Sequence, residues 1–235
     1  MPQRSCSEQG EQLALALEPF LGEATALLAL VPGGVPLGLE LARRLDIPLD
    51  VLITGELVSH EEPRQILGAM AERGDFFLDL MAVRERQVSE TTIDLYTDEA
   101  FALIARRIGL YRGGEPLPDL YERTLVVVSD GFASISIARV AISTVRRMMP
   151  RRILLAVPAL PSPFFRELSP LTSAIYTLGT SAALDDGLRA RADELAARLD
   201  EAAEADLLRQ FLFERQRQRR PGAPSARREE EPGEA

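Results

Sequence analysis

The stretch Leu125-Val-Val-Val-Ser-Asp-Gly-Phe-Ala-Ser-Ile-Ser-Ile137 constrains the fold of this chain more than any other. Four apolar residues without a polar break predict a strand buried on both faces, as in a parallel sheet. An acid, a glycine and a hydroxyl-rich loop follow, and then a helical pattern over about 136–148. A strand that runs through such a loop into a helix sets a carboxylate at its own end. It also aims backbone N–H groups at the helix N-terminus, where an anion is favoured.

The same alternation recurs along the chain. Ala26-Leu-Leu-Ala-Leu-Val31 reads as a first buried strand, ending in Pro32-Gly-Gly-Val-Pro36 before a helical pattern through Leu37, Leu39, Leu41 and Leu45. Asp50–Thr54 is a second strand. Gln65–Met70 and Phe76–Asp79 predict a hairpin with Arg73-Gly-Asp75 at its turn. From Ser89 to Tyr111 the apolar residues keep a period near 3.6, which predicts a long helix closed by Gly113-Gly114. Strands at Thr124–Val128, Ile153–Val157 and Ala174–Leu178 complete the pattern, with a short segment at Pro163–Leu168. Strands alternating with helices predict an α/β fold, a parallel sheet flanked by helices on both faces.

The expected organisation is an edge helix within 1–20, an α/β domain over 21–182, an amphipathic helix over 183–213 and a disordered tail over 214–235. In the third segment Leu184, Leu188, Leu195, Leu199, Leu207, Phe211 and Leu212 form one stripe, with Glu194, Asp200, Glu201 and Glu204 on the other faces. In the tail, Arg215–Arg220, Pro and Gly residues and Glu229–Glu231 offer too little apolar surface to fold.

Composition narrows the chemistry. All 27 basic residues are arginine, so no mechanism that needs a lysine is open. A net charge of −9 argues against general nucleic-acid binding. No apolar run reaches the roughly 18 residues that span a bilayer. The first ten residues lack an export pattern, and the single cysteine, Cys6, falls in an expected mobile leader, so a cytoplasmic protein is expected.

The motif at 125–137 resembles the PRPP-binding motif of type I phosphoribosyltransferases, in which two acids precede an Ala-Thr-Gly-Gly-Thr-like loop. Over about 25–180 the chain is similar to the bacterial "predicted phosphoribosyltransferase" group. Val31-Pro-Gly-Gly-Val-Pro36, Leu57–Met70 and Leu110-Tyr-Arg-Gly-Gly114 fall in the group's order. The resemblance implies a phosphoribosyltransferase-like (Rossmann-like) fold and a ligand such as PRPP, ribose 5-phosphate or a nucleotide, with Mg²⁺ if PRPP is bound. It assigns Asp130 and Ser129 to the ribose. Gly131, Ala133, Ser134, Ile135, Ser136 and Ile137 fall to the phosphate, and Gly33 and Gly34 to the pyrophosphate loop. No residue is assigned to catalysis or to a protein-held metal.

The motif is degenerate. Ser129 stands where the first acid belongs, Ile135 replaces a loop glycine, Ile137 replaces the closing threonine, and Pro32 replaces an arginine. Glu56 lies where the group carries a cation, turning attraction for pyrophosphate into repulsion of about 1–4 kcal/mol. If the Ile135 position requires φ > 0, a β-branched residue there is strained. These departures strike the phosphate, diol and pyrophosphate contacts together, which predicts weakened or lost phosphoribosyl transfer, that is, a pseudoenzyme.

Structural roles stand beside each of these assignments. Ser134 or Ser136 can cap a helix, Asp130 can make a turn, Gly33-Gly34 can be a plain strand-to-helix turn, and Arg112 can belong to a helix C-cap. His60, with Glu61 and Glu62, reads as an exposed loop. The alternative function is a non-catalytic assembly module that uses the C-terminal helix for a homodimer or a protein partner, with no membrane and no nucleic acid involved.

Overall fold

The computed structural model describes residues 5–22, 24–132, 134–181 and 200–218. Nine strands are β1 Thr25–Val31, β2 Leu49–Val58, β3 Ile66–Ala71, β4 Phe76–Leu78, β5 Thr124–Val128, β6 Arg152–Val157, β7 Leu160–Pro161, β8 Ala174–Thr177 and β9 Thr180–Ser181. Seven form one sheet in the order β4-β3-β2-β1-β5-β6-β8, while β7 pairs with β9. The helices are α1 Cys6–Leu17, α2 Val35–Leu45, α3 Leu80–Glu85, α4 Glu90–Arg112, α5 Ile135–Arg147, α6 Ser162–Leu168 and α7 Glu201–Gln218.

The unbroken apolar strands have a simple cause. In β1, Leu27, Ala29 and Val31 enter the core beneath α1, α2, α4 and α7, whereas Ala26, Leu28 and Leu30 enter the core beneath α5 and α6. Successive side chains of a strand point to opposite faces, so a sheet covered on both sides needs an apolar residue at every position.

The sheet is mixed rather than wholly parallel. From β2 to the β8 edge five strands run parallel, but β3 and β4 add antiparallel. The reason lies in β2, which continues well past the expected Thr54. Its pairing with β1 ends at Ile53, and Thr54–Val58 then pair with β3 instead. The 65–79 hairpin forms as expected, with Met70 opposite Phe76.

Helix boundaries follow local chemistry. Ser5 and Glu8 cap α1 reciprocally, so Cys6, expected in a mobile leader, is the first residue of a helix. Ser89 caps α4, and Gly113 closes it with φ +65°. At the other end of the chain, α7 continues beyond the expected limit at 213, to Gln218. Arg215, assigned to the tail, bonds the Ile47 carbonyl and Asp46, and its guanidinium lies 5.5 Å from the Phe211 ring. The buried stripe of α7 is Ala205, Leu208 and Phe211, while Leu207 and Leu212 are exposed. That face is rotated from the expected one, and the 183–199 part of the expected helix lies outside the described residues. No helix among the described residues is long and apolar enough to cross a membrane.

Candidate functional site

Strands β1 and β5 are neighbours, so the loops at their C-terminal ends lie side by side. Such a crevice is where open α/β sheets bind ligands. Gly33 has φ +104°, and a Cβ there would lie 2.8 Å from Asp130 Oδ1. A Cβ on Gly34 would lie 2.5 Å from the Leu30 carbonyl oxygen and 2.8 Å from that of Val128. The two glycines let the first loop pass directly beneath the Asp130 carboxylate. The structure therefore brings the ribose and pyrophosphate assignments together.

The hydroxyl loop is occupied by its own turn. Ser129 is buried, and its Oγ donates to the Gly131 carbonyl and accepts the Gly131 N–H at 3.2 Å. Ala133 lies outside the described residues. Ser134 is the N-cap of α5, accepting the Ile137 N–H at 3.2 Å. Ile135 is the first residue of α5 and is not among the residues with positive φ, so the feared backbone strain does not arise. Ile135 and Ile137 pack their side chains against the core, and Ser136 is buried. The N–H groups of Ile135 and Ser136 belong to a first turn that has no intrahelical acceptors for them.

The first loop also meets residues outside the recognisable motifs. The Gly33 N–H donates to both Glu204 oxygens, at 2.9 and 3.1 Å, and Tyr111 Oη donates to Glu204 Oε2 at 2.8 Å. Glu204, expected on an outer face of its helix, is only 4% exposed. Burial pushes its carboxyl above the usual range, against the pull of the Gly33 and Tyr111 hydrogen bonds. One turn earlier, Glu201 accepts from Arg107 at 2.7 and 3.2 Å and from Arg106 at 2.6 Å. Burial raises Glu201, but the bonds and charges of Arg107 and Arg106 outweigh it and hold the carboxyl low. Arg107 also donates to the Thr54 carbonyl at 2.6 Å. Glu204 stands four and seven residues before Leu208 and Phe211, on the stripe that α7 buries, but the apolar pattern through Leu207 and Leu212 points to a different face.

Arg112 ends α4 before the Gly113 cap, and His60 lies in an exposed loop, as expected. The Arg112 guanidinium forms a buried ion pair with Glu72, whose other oxygen accepts the Ile53 N–H at 2.9 Å. Its side chain is therefore committed to tying α4 to the sheet. Glu56 is half-buried and raised by burial, with Arg107 opposing; its Oε1 has no partner among the described residues. His60 sits 2.8 Å from Glu99, and its N–H reaches Tyr96 Oη, so its contacts are with α4. Among the described residues no group of three or more His, Cys, Asp or Glu side chains could hold a metal ion.

No family model matches the chain. Two Mycobacterium tuberculosis proteins, from strains CDC 1551 / Oshkosh and ATCC 25618 / H37Rv, have names that assign them provisionally to the phosphoribosyl transferases. Each is 31% identical over 202 residues, which covers 83% of this chain and 46% of the relative. The chain thus spans about half the length of the curated relatives it matches. Among solved structures, TT1426 from Thermus thermophilus superposes with a TM-score of 0.61 at 29% identity, covering 77% of this chain and 86% of that one. Over the 202 residues it shares with these relatives, the chain is phosphoribosyltransferase-like.

Proposed function

We propose that this chain binds a 5-phosphoribosyl group, carried by ribose 5-phosphate, a nucleotide or PRPP, and that phosphoribosyl transfer is weakened or lost. The observation that carries the reading is the close approach of the Gly33 loop to Asp130 at the end of β5, with the Ser134-capped start of α5 four residues further along the chain. In this reading the first-turn N–H groups of α5 take the 5′-phosphate, and Asp130 takes the ribose hydroxyls. The names of the relatives support the same ligand class.

Transfer would need more than binding. Pyrophosphate must leave from an oxocarbenium-like state, which calls for donors and positive charge aimed at the leaving group. Here the Gly33 N–H is taken by Glu204, the Gly34 N–H by the Leu30 carbonyl at 2.9 Å, and Arg106 and Arg107 by Glu201. Nor do the residues fit a protein-held Mg²⁺, since the Ser129 hydroxyl is committed to Gly131 and no acid stands in its place. Mg²⁺ would arrive only as the chelate of PRPP.

Calorimetric titration of the full chain with ribose 5-phosphate, AMP and Mg²⁺–PRPP tests this reading. Ribose 5-phosphate should bind, and Asp130→Asn should weaken it by about tenfold or more, the scale of a charge-assisted hydrogen bond. Silence from all three ligands would remove the reading. An assembly role is favoured by one observation, the exposed Leu207, Leu212 and Phe213 on α7. Light scattering decides it: a monomer that Leu212→Glu leaves unchanged removes self-association through that face.

A further inference from the structure

We infer that α7 is an internal anion that closes the first loop, with Glu204 seated where a ligand's leaving phosphate would need the Gly33 N–H. The inference rests on the phosphoribosyl reading above and adds to it a control element within the same chain. Three observations carry it.

First, the contact is specific. A buried carboxylate spans one glycine N–H with both oxygens, and Tyr111 Oη donates to one of those oxygens as well. Second, the acid lies on a helix whose neighbouring turn takes two cations of α4: Glu201 holds Arg106 and Arg107 together. Two carboxylates three residues apart thereby engage a loop N–H and a pair of guanidinium groups, the kinds of group that bind a diphosphate. Third, Gly33 lies between Glu204 and Asp130, so the loop already sits between two acids. A further anion would be repelled as well as excluded.

An occupant attached to the same chain competes at an effective concentration of roughly millimolar, so it displaces weak anions without any high intrinsic affinity. Opening the loop requires α7 to lift. The apolar anchor that resists this is short, consisting of Ala205, Leu208 and Phe211. Beyond it, Arg215 clips the helix to the end of α2 through Asp46 and the Ile47 carbonyl. The device is a strap that covers the first loop and leaves the α5 end of the crevice to a monophosphate.

The test uses the full-length protein with two probes. Pyrophosphate reports the first loop, and ribose 5-phosphate reports the α5 end. Glu204→Ala removes the occupant. Glu204→Gln keeps an acceptor for Gly33 and a partner for Tyr111, so it stays folded should the alanine variant not. Pyrophosphate should bind Glu204→Ala at least tenfold more tightly than wild type, with Glu204→Gln in between, while ribose 5-phosphate changes by less than twofold. If ribose 5-phosphate binds all three proteins but pyrophosphate affinity does not rise, the strap is overturned and the phosphoribosyl reading stands. If ribose 5-phosphate, AMP and Mg²⁺–PRPP all fail to bind any of them, that reading fails. Pyrophosphate that still ignores both variants then overturns the strap as well.

Discussion

Removing one member of the Glu72–Arg112 pair should destabilise the protein severely, and removing both should restore it. The two side chains are 3% and 7% exposed, and they link the turn after β3 to the last turn of α4. Arg112 Nε and Nη1 have no partner among the described residues, and burial lowers the guanidinium pKa while Asp50 opposes it. The charge therefore depends on Glu72 and Asp50 in place of water. Glu72→Gln preserves shape and the acceptor for the Ile53 N–H but deletes the charge. Stranding a buried partner costs about 3–5 kcal/mol. For a domain of this size that corresponds to a fall in melting temperature of roughly 6–20 °C. Arg112→Met should cost a similar amount, whereas the double variant should lie within ~1–2 kcal/mol of wild type, because a buried pair and an apolar replacement are often equivalent. Urea unfolding followed by circular dichroism, run as a double-mutant cycle, measures the coupling. Two single variants that each cost under ~1 kcal/mol and simply add would refute the argument. They would also reopen Arg112 as a ligand contact.

Two further outcomes follow from the crevice. Gly34→Ala places a Cβ against the carbonyls of Leu30 and Val128, backbone atoms of two paired strands that do not yield cheaply; a loss of about 1–3 kcal/mol in thermal or urea unfolding is expected, and an unchanged midpoint would mean that β1 and β5 can part there. The Glu204 carboxyl is raised above its ordinary 4.5, so the folded state holds its proton more tightly than the unfolded chain. Its stabilising share is complete below 4.5 and is lost as pH rises through the folded value, whereas the depressed Glu201 contributes above 4.5 and fades as pH falls through its own. Urea midpoints across pH 4–8 should therefore decline less with rising pH in Glu204→Gln than in wild type, and parallel curves would contradict the assignment.

Local physics made much of the fold legible in advance. The apolar runs of β1, β5 and β6, the period of α4, the Ser134 cap and the turn glycines act over a few residues, so spacing alone exposes them. The turn positions of Gly33 and Asp130 were legible for the same reason, each just past the end of a recognisable strand, while their ligand assignments came from the family resemblance.

What the sequence by itself determined was this framework of alternating strands and helices, the loops at their ends, and the chemical losses at Ser129, Pro32 and Glu56. The tertiary structure alone decided that β2 outruns β1 and turns the sheet mixed, that α7 faces inward on Leu208 rather than Leu207, and that Glu72 holds Arg112. It also placed Glu204 on Gly33, across 171 positions of chain. A carboxylate has the same local signature whether it faces water or a buried glycine N–H. Only the packing of α7 against α2 and α4 selects between them, because that is where desolvation and the available donors are set.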